Sequence, residues 1–180
     1  MKMSLAVIAA AAISICTLVQ AADNQGRIDV FGDKDGITLS DLKSEGGGVM
    51  NAGWLKEPEK RTQVVVAIFP AVPEWKSGTF SFTPSKDGEV TVYIRGAWNA
   101  DGTQTWTLFD DIQVKGAEIK NGGFEEDAAN WILGEKTSLS DNAKSGKKSI
   151  KVAHDFPANQ NIKVKGGQPV TVSFWYKSAE

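Results

Sequence analysis

Short segments of alternating apolar and polar residues recur along most of the chain, separated by stretches rich in Gly, Asp, Asn and Lys. Alternation with a period of two predicts half-buried β-strands, and many short strands at this spacing predict a sandwich or barrel. We therefore expect an all-β fold of the jelly-roll type, with two antiparallel sheets. The predicted strands are 27–31, 63–69, 79–83, 89–95, 105–109, 112–114, 131–134, 148–152, 161–164 and 170–177.

Residues 40–60 show no clear period. The stretch contains three consecutive glycines at 46–48 and a proline, Pro58. Glycine and proline interrupt regular structure, so we predict a long loop here. The only local order that we expect within it is one helical turn starting at Asp41.

Alternation also assigns side chains to the two faces of a strand, because successive residues point to opposite sides of a sheet. In two strands this places Tyr93 and Arg95, and Trp175 and Lys177, opposite an apolar face. An aromatic ring on a polar face suits sugar binding, since the ring stacks on a pyranose while neighbouring polar groups bind its hydroxyls. The alternative is that Tyr93 and Trp175 lie under a loop or face a second core.

The N-terminus combines Lys2 with an apolar run over residues 5–19. Together with the small residues before and at Ala21, this is typical of a secretory signal peptide covering residues 1–21. A transmembrane anchor would need about 20 unbroken apolar residues, and polar side chains interrupt this run. We expect residues 22–180 to form one domain that is secreted, periplasmic or at the cell surface, with no membrane span after cleavage.

The net charge, the single cysteine and the single histidine argue against several classes of function. The net charge is −2 and no basic run is present, so we expect no nucleic-acid binding. The only cysteine, Cys16, falls in the predicted signal peptide, which leaves the mature chain without disulfides. The only histidine, His154, offers little material for a nucleophilic or multi-histidine metal site, and we read it as a surface residue. We predict no enzyme activity; a glycosidase, which needs only two carboxylates, is the catalytic alternative.

Four acids near the N-terminal strand, at 29, 33, 35 and 41, superficially look like a calcium loop. Their spacing does not match, because placing Asp33 and Asp35 at the third and fifth ligand positions puts Phe31 at the first. We interpret these acids as solvated turn residues.

Two sets of motifs, one in the C-terminal third of the chain and one upstream of it, resemble those of a known protein family. The first set is Asn-Gly-Gly-Phe-Glu at 121–125, Trp131, Ala-Lys-Ser-Gly-Lys-Lys-Ser at 143–149 and the strand at 170–177. The second set is Trp75, Thr-Phe-Ser-Phe-Thr-Pro at 79–84, the strand at 90–94 and Phe-Asp-Asp-Ile at 109–112. The first set resembles the first half of the carbohydrate-binding modules of families 4, 9 and 22, which have a galactose-binding-like fold. The second set resembles the second half.

These halves stand in inverted order along the chain. One interpretation is a module at residues 22–117 followed by a truncated second module at 118–180, but half a sandwich would leave unpaired edges. We favour a single circularly permuted jelly roll in which 118–180 supplies the early strands, since chain ends of a domain often lie close together. The junction at 112–119 then reads as two short strands around a Lys-Gly turn.

The resemblance also implies a structural calcium ion. In such modules a Glu after the Gly-Phe pair and an Asp of the closing Asp-Asp pair meet backbone carbonyls, and these are the hard oxygen ligands that Ca²⁺ takes. The matching residues are Glu125 and Asp111, with carbonyls at 145–147 as further ligands. The alternative is an ordinary pair of surface acids.

The resemblance and the aromatic strand faces together predict a non-catalytic domain that binds a glycan or polysaccharide. The alternative is a structural or adhesive protein of an envelope or matrix with the same fold, in which strand exchange between molecules would give head-to-tail self-association. The residues expected to bind the ligand are Tyr93, Arg95, Trp175 and Lys177, with Trp98 and Trp54 as loop platforms.

Overall fold

The computed structural model describes residues 24–33, 35–57 and 60–179, so the predicted signal peptide lies outside the described residues. The described chain forms twelve strands, and within it no helix is long and apolar enough to cross a membrane. The strands are β1 (Asn24–Phe31), β2 (Leu39–Glu45), β3 (Gly48–Glu57), β4 (Lys60–Pro70), β5 (Lys76–Pro84), β6 (Gly88–Gly96), β7 (Thr107–Lys115), β8 (Ile132–Leu133), β9 (Ser138–Ser140), β10 (Ser149–Val152), β11 (Ala158–Val164) and β12 (Val170–Ser178).

The strands form two antiparallel sheets of six. Sheet A has the order β3-β4-β1-β6-β11-β8, and sheet B has the order β2-β5-β12-β7-β10-β9. Their inner faces meet in one apolar core, where the ring of Phe69 on β4 contacts that of Phe174 on β12 at a centroid distance of 4.9 Å. The prediction of an all-β sandwich with two antiparallel sheets is confirmed.

Core packing explains one glycine inside a strand. Gly78 of β5 faces the interior, and a Cβ atom there would lie 2.9 Å from the rings of both Phe69 and Phe174. A residue without a side chain is therefore needed where the two large rings approach the backbone.

Strands from both parts of the sequence alternate within the sheets. β12 lies between β5 and β7, and β11 pairs with β6 along its whole length. Residues before and after position 117 therefore share both sheets and the same core. Circular permutation stays a prediction.

Two local predictions are wrong. Residues 40–60 are not a loop, because β2 and β3 occupy most of this stretch, and Asp41 lies in β2 rather than in a helical turn. The junction after β7 also differs, since residues 116–119 form a bend and no second strand. β7 itself runs through both strands predicted at 105–109 and 112–114, with Asp111 at a φ of 49°.

Candidate functional site

Tyr93 and Arg95 lie on the outer face of sheet A, as alternation predicts. Neighbouring β1 presents Phe31 on the same face, and its ring centroid is 4.8 Å from that of Tyr93. The guanidinium of Arg95 lies 5.2 Å from the centroid of the Tyr93 ring. These three side chains, which we call the Tyr93 patch, put aromatic surface on a face to which the neighbouring β4 contributes Val64 and Val66, the partners of Phe31 and Asp29.

A buried carboxylate holds this patch in place. Asp29 of β1 is only 1% exposed, and its two oxygens meet Nε of Arg27 at 2.5 Å and Nε of Arg95 at 3.4 Å. The interpretation of Asp29 as a solvated turn acid is therefore wrong, because the residue lies within a central strand. Burial lowers the pKa of Arg95, and the charge of Asp29 opposes that shift. The ion pairs restrict the arginine that lies over Tyr93.

A cleft of about 590 Å³, the sheet A cleft, adjoins the Tyr93 patch. Phe31 and Tyr93 line it together with three carboxylates, Asp33, Asp35 and Glu89, and no lysine or arginine is among its described lining residues. Its wall contains an ordered polar chain. Thr91 Oγ1 donates to Asn161 Oδ1 at 2.7 Å, and Asn161 Nδ2 donates to Glu89 Oε1 at 2.9 Å.

Trp175 and Lys177 lie on the outer face of sheet B, on β12. Their outward orientation is the predicted one, but the structure does not bring them together with Tyr93 and Arg95, because the two pairs lie on opposite sides of the sandwich. The loop residue Lys144 places its ammonium 4.3 Å from the centroid of the Trp175 ring.

Neither of the two other tryptophans of the predicted site is among the residues that line the sheet A cleft. Trp98 is 62% exposed in the loop after β6, beyond the end of the strand that carries Arg95, whereas the cleft extends from Tyr93 towards Glu89. Trp54 is 42% exposed and lies on β3, so it belongs to an edge strand rather than to a loop.

Asp111 and Glu125 both bind the loop at 144–148. Asp111 Oδ1 accepts a hydrogen bond from the Ser145 hydroxyl at 2.7 Å, and Glu125 Oε1 accepts from the backbone N–H groups of Lys147 and Lys148 at 2.8 and 2.9 Å. These two amides lower the pKa of Glu125. Next to them, buried Asp110 accepts the amides of 144 and 145 through Oδ2.

The chemistry of this carboxylate pair fits a hard cation in part. Each carboxylate uses one of its two oxygens in the hydrogen bonds above, and carboxylate oxygens are calcium ligands. The loop groups that contact them are N–H and O–H donors, however, and no cluster of three or more His, Cys, Asp or Glu side chains suited to a metal occurs among the described residues. Any further ligands would have to be neutral oxygens, such as backbone or amide carbonyls, hydroxyls or water.

His154 is less exposed than the sequence suggests. Its side chain is 19% exposed and its Nδ1 is buried without a hydrogen-bond partner. Burial lowers its pKa, and so do the charges of Arg95 and Arg27. His154 is therefore near Arg27 and Arg95, at what we call the arginine end of the sheet A face.

Comparison with known proteins leaves the family open. No protein-family model matches the chain, and neither a curated protein nor a solved structure matches it. The likeness to carbohydrate-binding modules therefore rests on the sequence motifs alone.

Sequence reasoning missed two aromatic residues of the outer faces, Phe31 and Trp106. The signal for Phe31 was present, because alternation with the core residues Ile28 and Val30 points it outwards. Trp106 stands directly before β7, which begins at Thr107. Its partners, Phe156 and Lys151, come from distant sequence and no local pattern indicates them.

Proposed function

We propose that this chain is an exported, non-catalytic domain that binds a neutral glycan on the outer face of sheet A. The observation that carries the proposal is the sheet A cleft, in which the Phe31 and Tyr93 rings lie beside an array of carboxylate, amide and hydroxyl groups. Sugar sites combine these two features, since the ring covers the apolar face of a pyranose and the polar groups bind its hydroxyls.

The polar wall also favours a neutral ligand over an acidic one. Sugar hydroxyls donate readily to carboxylates such as Asp33, Asp35 and Glu89, whereas a uronate or sulfate would be repelled by them. Because Asn161 is already fixed between Thr91 and Glu89, less ordering is needed when the ligand binds.

The test is titration calorimetry of the full chain against a panel of neutral oligosaccharides and soluble polysaccharides. We expect Tyr93→Ala to weaken binding about tenfold, the equivalent of one stacked ring. Trp175→Ala is the matched control, since it removes an aromatic ring from the opposite face. Equal losses in both variants, or no binding by the unaltered chain, would reject the proposal, and release of reducing sugar would reject its non-catalytic part.

A structural calcium ion at Asp111 and Glu125 is a separate element of the proposal. It is supported by the fit of both residues to the family motifs and by their convergence on one loop. The ion would supply positive charge that holds this loop against β7. A single permuted jelly roll is the corresponding proposal for the domain, supported by the interleaving of its strands.

A structural or adhesive role through self-association is the second candidate. Sheet A ends in β3, a ten-residue edge strand, and three of the large apolar residues that are exposed on the described chain lie on it. Long apolar edge strands pair readily with other chains. Those residues are Met50, Trp54 and Leu55.

Light scattering across a wide concentration range tests this candidate. Self-association through β3 predicts a rise in mass that Leu55→Lys abolishes, while Ile132→Lys, at an exposed site on β8, leaves it intact. A strict monomer at high concentration would exclude this role.

A further inference from the structure

Two arginines stand side by side at the arginine end of the sheet A face. Arg27 of β1 and Arg95 of β6 are direct partners in the antiparallel ladder, and the Nε atoms of both approach the carboxylate of Asp29. Side chains that oppose each other on neighbouring strands are about 5 Å apart at Cβ, so both guanidinium groups reach the same region of the surface. Neither arginine is among the described residues that line the sheet A cleft.

Arg95 is largely buried, yet its donors lack acceptors. Its side chain is 15% exposed, and Nε is buried without a hydrogen-bond partner, because the contact with Asp29 at 3.4 Å does not form a hydrogen bond. The polar and ring contacts of its guanidinium among the described residues are this ion pair and the ring of Tyr93. Buried donors in folded proteins are almost always paired, so the N–H groups of Arg95 are suited to an acceptor from a ligand.

Arg27 is held from the same side and also keeps donors for a ligand. Its Nε donates to Asp29 Oδ1 at 2.5 Å, and the terminal amino groups make no hydrogen bond with the part of the chain that the structure describes. A buried carboxylate thus orients both arginines from behind, which reduces the ordering that a ligand would require. Two guanidinium groups around one carboxylate also leave an excess of positive charge.

His154 adds another unpaired polar atom at this end. Its Nδ1 is buried without a hydrogen-bond partner, and its pKa is lowered by burial and then by the charges of the two arginines. A second carboxylate, that of Asp155, is 61% exposed and accepts a hydrogen bond from Gln104 Nε2 at 2.7 Å. Its charge affects the pKa of Arg95 less than that of Asp29 does, so it offsets little of the positive charge.

We propose that Arg27 and Arg95 form a binding site for a tetrahedral oxyanion, which is the phosphate or sulfate group of a small molecule. Arginine forks bind such groups through paired N–H···O bonds, and the several oxygens of a tetrahedral anion match donors that come from two side chains. A carboxylate has only two oxygens and pairs fewer of these donors. The site does not depend on binding of a neutral glycan at the sheet A cleft.

The test is an NMR titration of the full chain with sodium phosphate, sodium sulfate and sodium acetate, at constant pH and at an ionic strength held constant with NaCl. His154 is the only histidine, so its imidazole resonances report on this end of the face without ambiguity. We expect saturable shifts of His154 and of the Arg27 and Arg95 amides with phosphate, sulfate or both, and about tenfold weaker binding of acetate. No saturable shift with either tetrahedral anion, or equally tight binding of acetate, would overturn the proposal.

Two double variants locate the site, and thermal melting checks that each is folded. Arg27→Lys with Arg95→Lys keeps both charges beside Asp29 but removes the forked donors, so the affinity for the tetrahedral anion should fall about tenfold or more. Lys163→Gln with Lys165→Gln is the control, since it removes positive charge from exposed lysines on and next to β11 and should leave the affinity nearly unchanged. Unchanged binding in the arginine variant, or an equal loss in both, would show that net charge alone attracts the anion.

The titration of the unaltered chain decides the matter if the arginine variant does not fold. Shifts that centre on Arg27, Arg95 and His154 support the site, and shifts confined to other residues overturn it.

Discussion

The outer faces of the two sheets have the same framework and opposite chemistry. Each carries aromatic rings and adjoins a cleft of several hundred Å³ on a row of outward side chains. On sheet A the charged groups that line the cleft are the carboxylates of Asp33, Asp35 and Glu89, whereas on sheet B they are the ammonium groups of Lys151 and Lys177. One apolar core supports both faces, so the outward positions of each sheet can differ without any change in the fold.

The faces also differ in how they hold a buried acid. Asp29 on sheet A is held by two arginine side chains, while Asp110 on sheet B accepts backbone amides from a loop and from Asp111. Burial raises the pKa of Asp110, and those amides oppose the shift. Side-chain ion pairs thus hold the buried acid of sheet A, whereas hydrogen bonds from backbone amides hold that of sheet B.

The largest expected effect follows from this difference. Asp29→Asn leaves two largely buried guanidinium groups without their counter-charge, so we expect a loss of about 3 kcal/mol in the free energy of unfolding. Asp110→Asn keeps an oxygen acceptor for the loop amides and should cost about 1 kcal/mol. Urea denaturation of both variants gives the comparison, and a larger loss for Asp110→Asn would show that the loop, rather than the arginine cluster, dominates stability.

Removal of a metal sharpens the contrast between the faces. If calcium holds the loop at 144–148, a chelator should lower the melting temperature of the chain, because the carboxylates of Asp111 and Glu125 lose the charge that they share with the loop. Binding of neutral glycan on sheet A should not change. Glu125→Gln should melt at a lower temperature than the unaltered chain and be insensitive to the chelator. An unaffected melt of the unaltered chain would mean that the hydrogen bonds alone close the loop.

Ionic strength should have little effect on glycan binding at sheet A. Ring stacking and hydrogen bonds to the hydroxyls of a neutral sugar involve no net charge on the ligand, so salt screens little of the binding free energy. Calorimetry at several salt concentrations measures the affinity, and a loss of several-fold at high salt would contradict a neutral ligand.

The smallest expected effect is a pH dependence at the arginine end of sheet A. Burial and the charges of Arg27 and Arg95, opposed by those of Asp155 and Asp29, lower the pKa of His154 in the folded state. The unfolded chain then binds a proton first, so stability should decrease as the pH falls through about 6.5 and towards the folded pKa. His154→Gln should flatten this part of the profile of unfolding free energy against pH. An unchanged profile would show that His154 is not the group responsible.

The strands that the sequence predicts correctly are those with one buried face and one partly exposed face. Strands such as β6 and β12 alternate strictly between buried and half-buried residues, and the sequence shows them clearly. β2 and β3 were missed because both are edge strands with irregular pairing, between Ser40 and Lys43 and between Asn51 and Gly53. A bulge reverses the side-chain parity and hides the period of two.

The candidate sites show the same limit. Alternation correctly pointed Tyr93 and Trp175 outwards, but it does not state which sheet a strand joins. That depends on long-range pairing, here β6 with β1 and β12 with β5 and β7. The expected single face is therefore two faces, and the carboxylate pair of Asp111 and Glu125 was placed on one loop by motif likeness rather than by any local pattern.

The most direct test of glycan binding on sheet A is an NMR titration of amide resonances with a neutral oligosaccharide that binds in calorimetry. We predict shift changes at Phe31, Thr91, Tyr93 and Asn161, in and around the sheet A cleft, with none at Trp175 or along β10. Changes centred on β12 and β10, with the sheet A residues unaffected, would contradict the account.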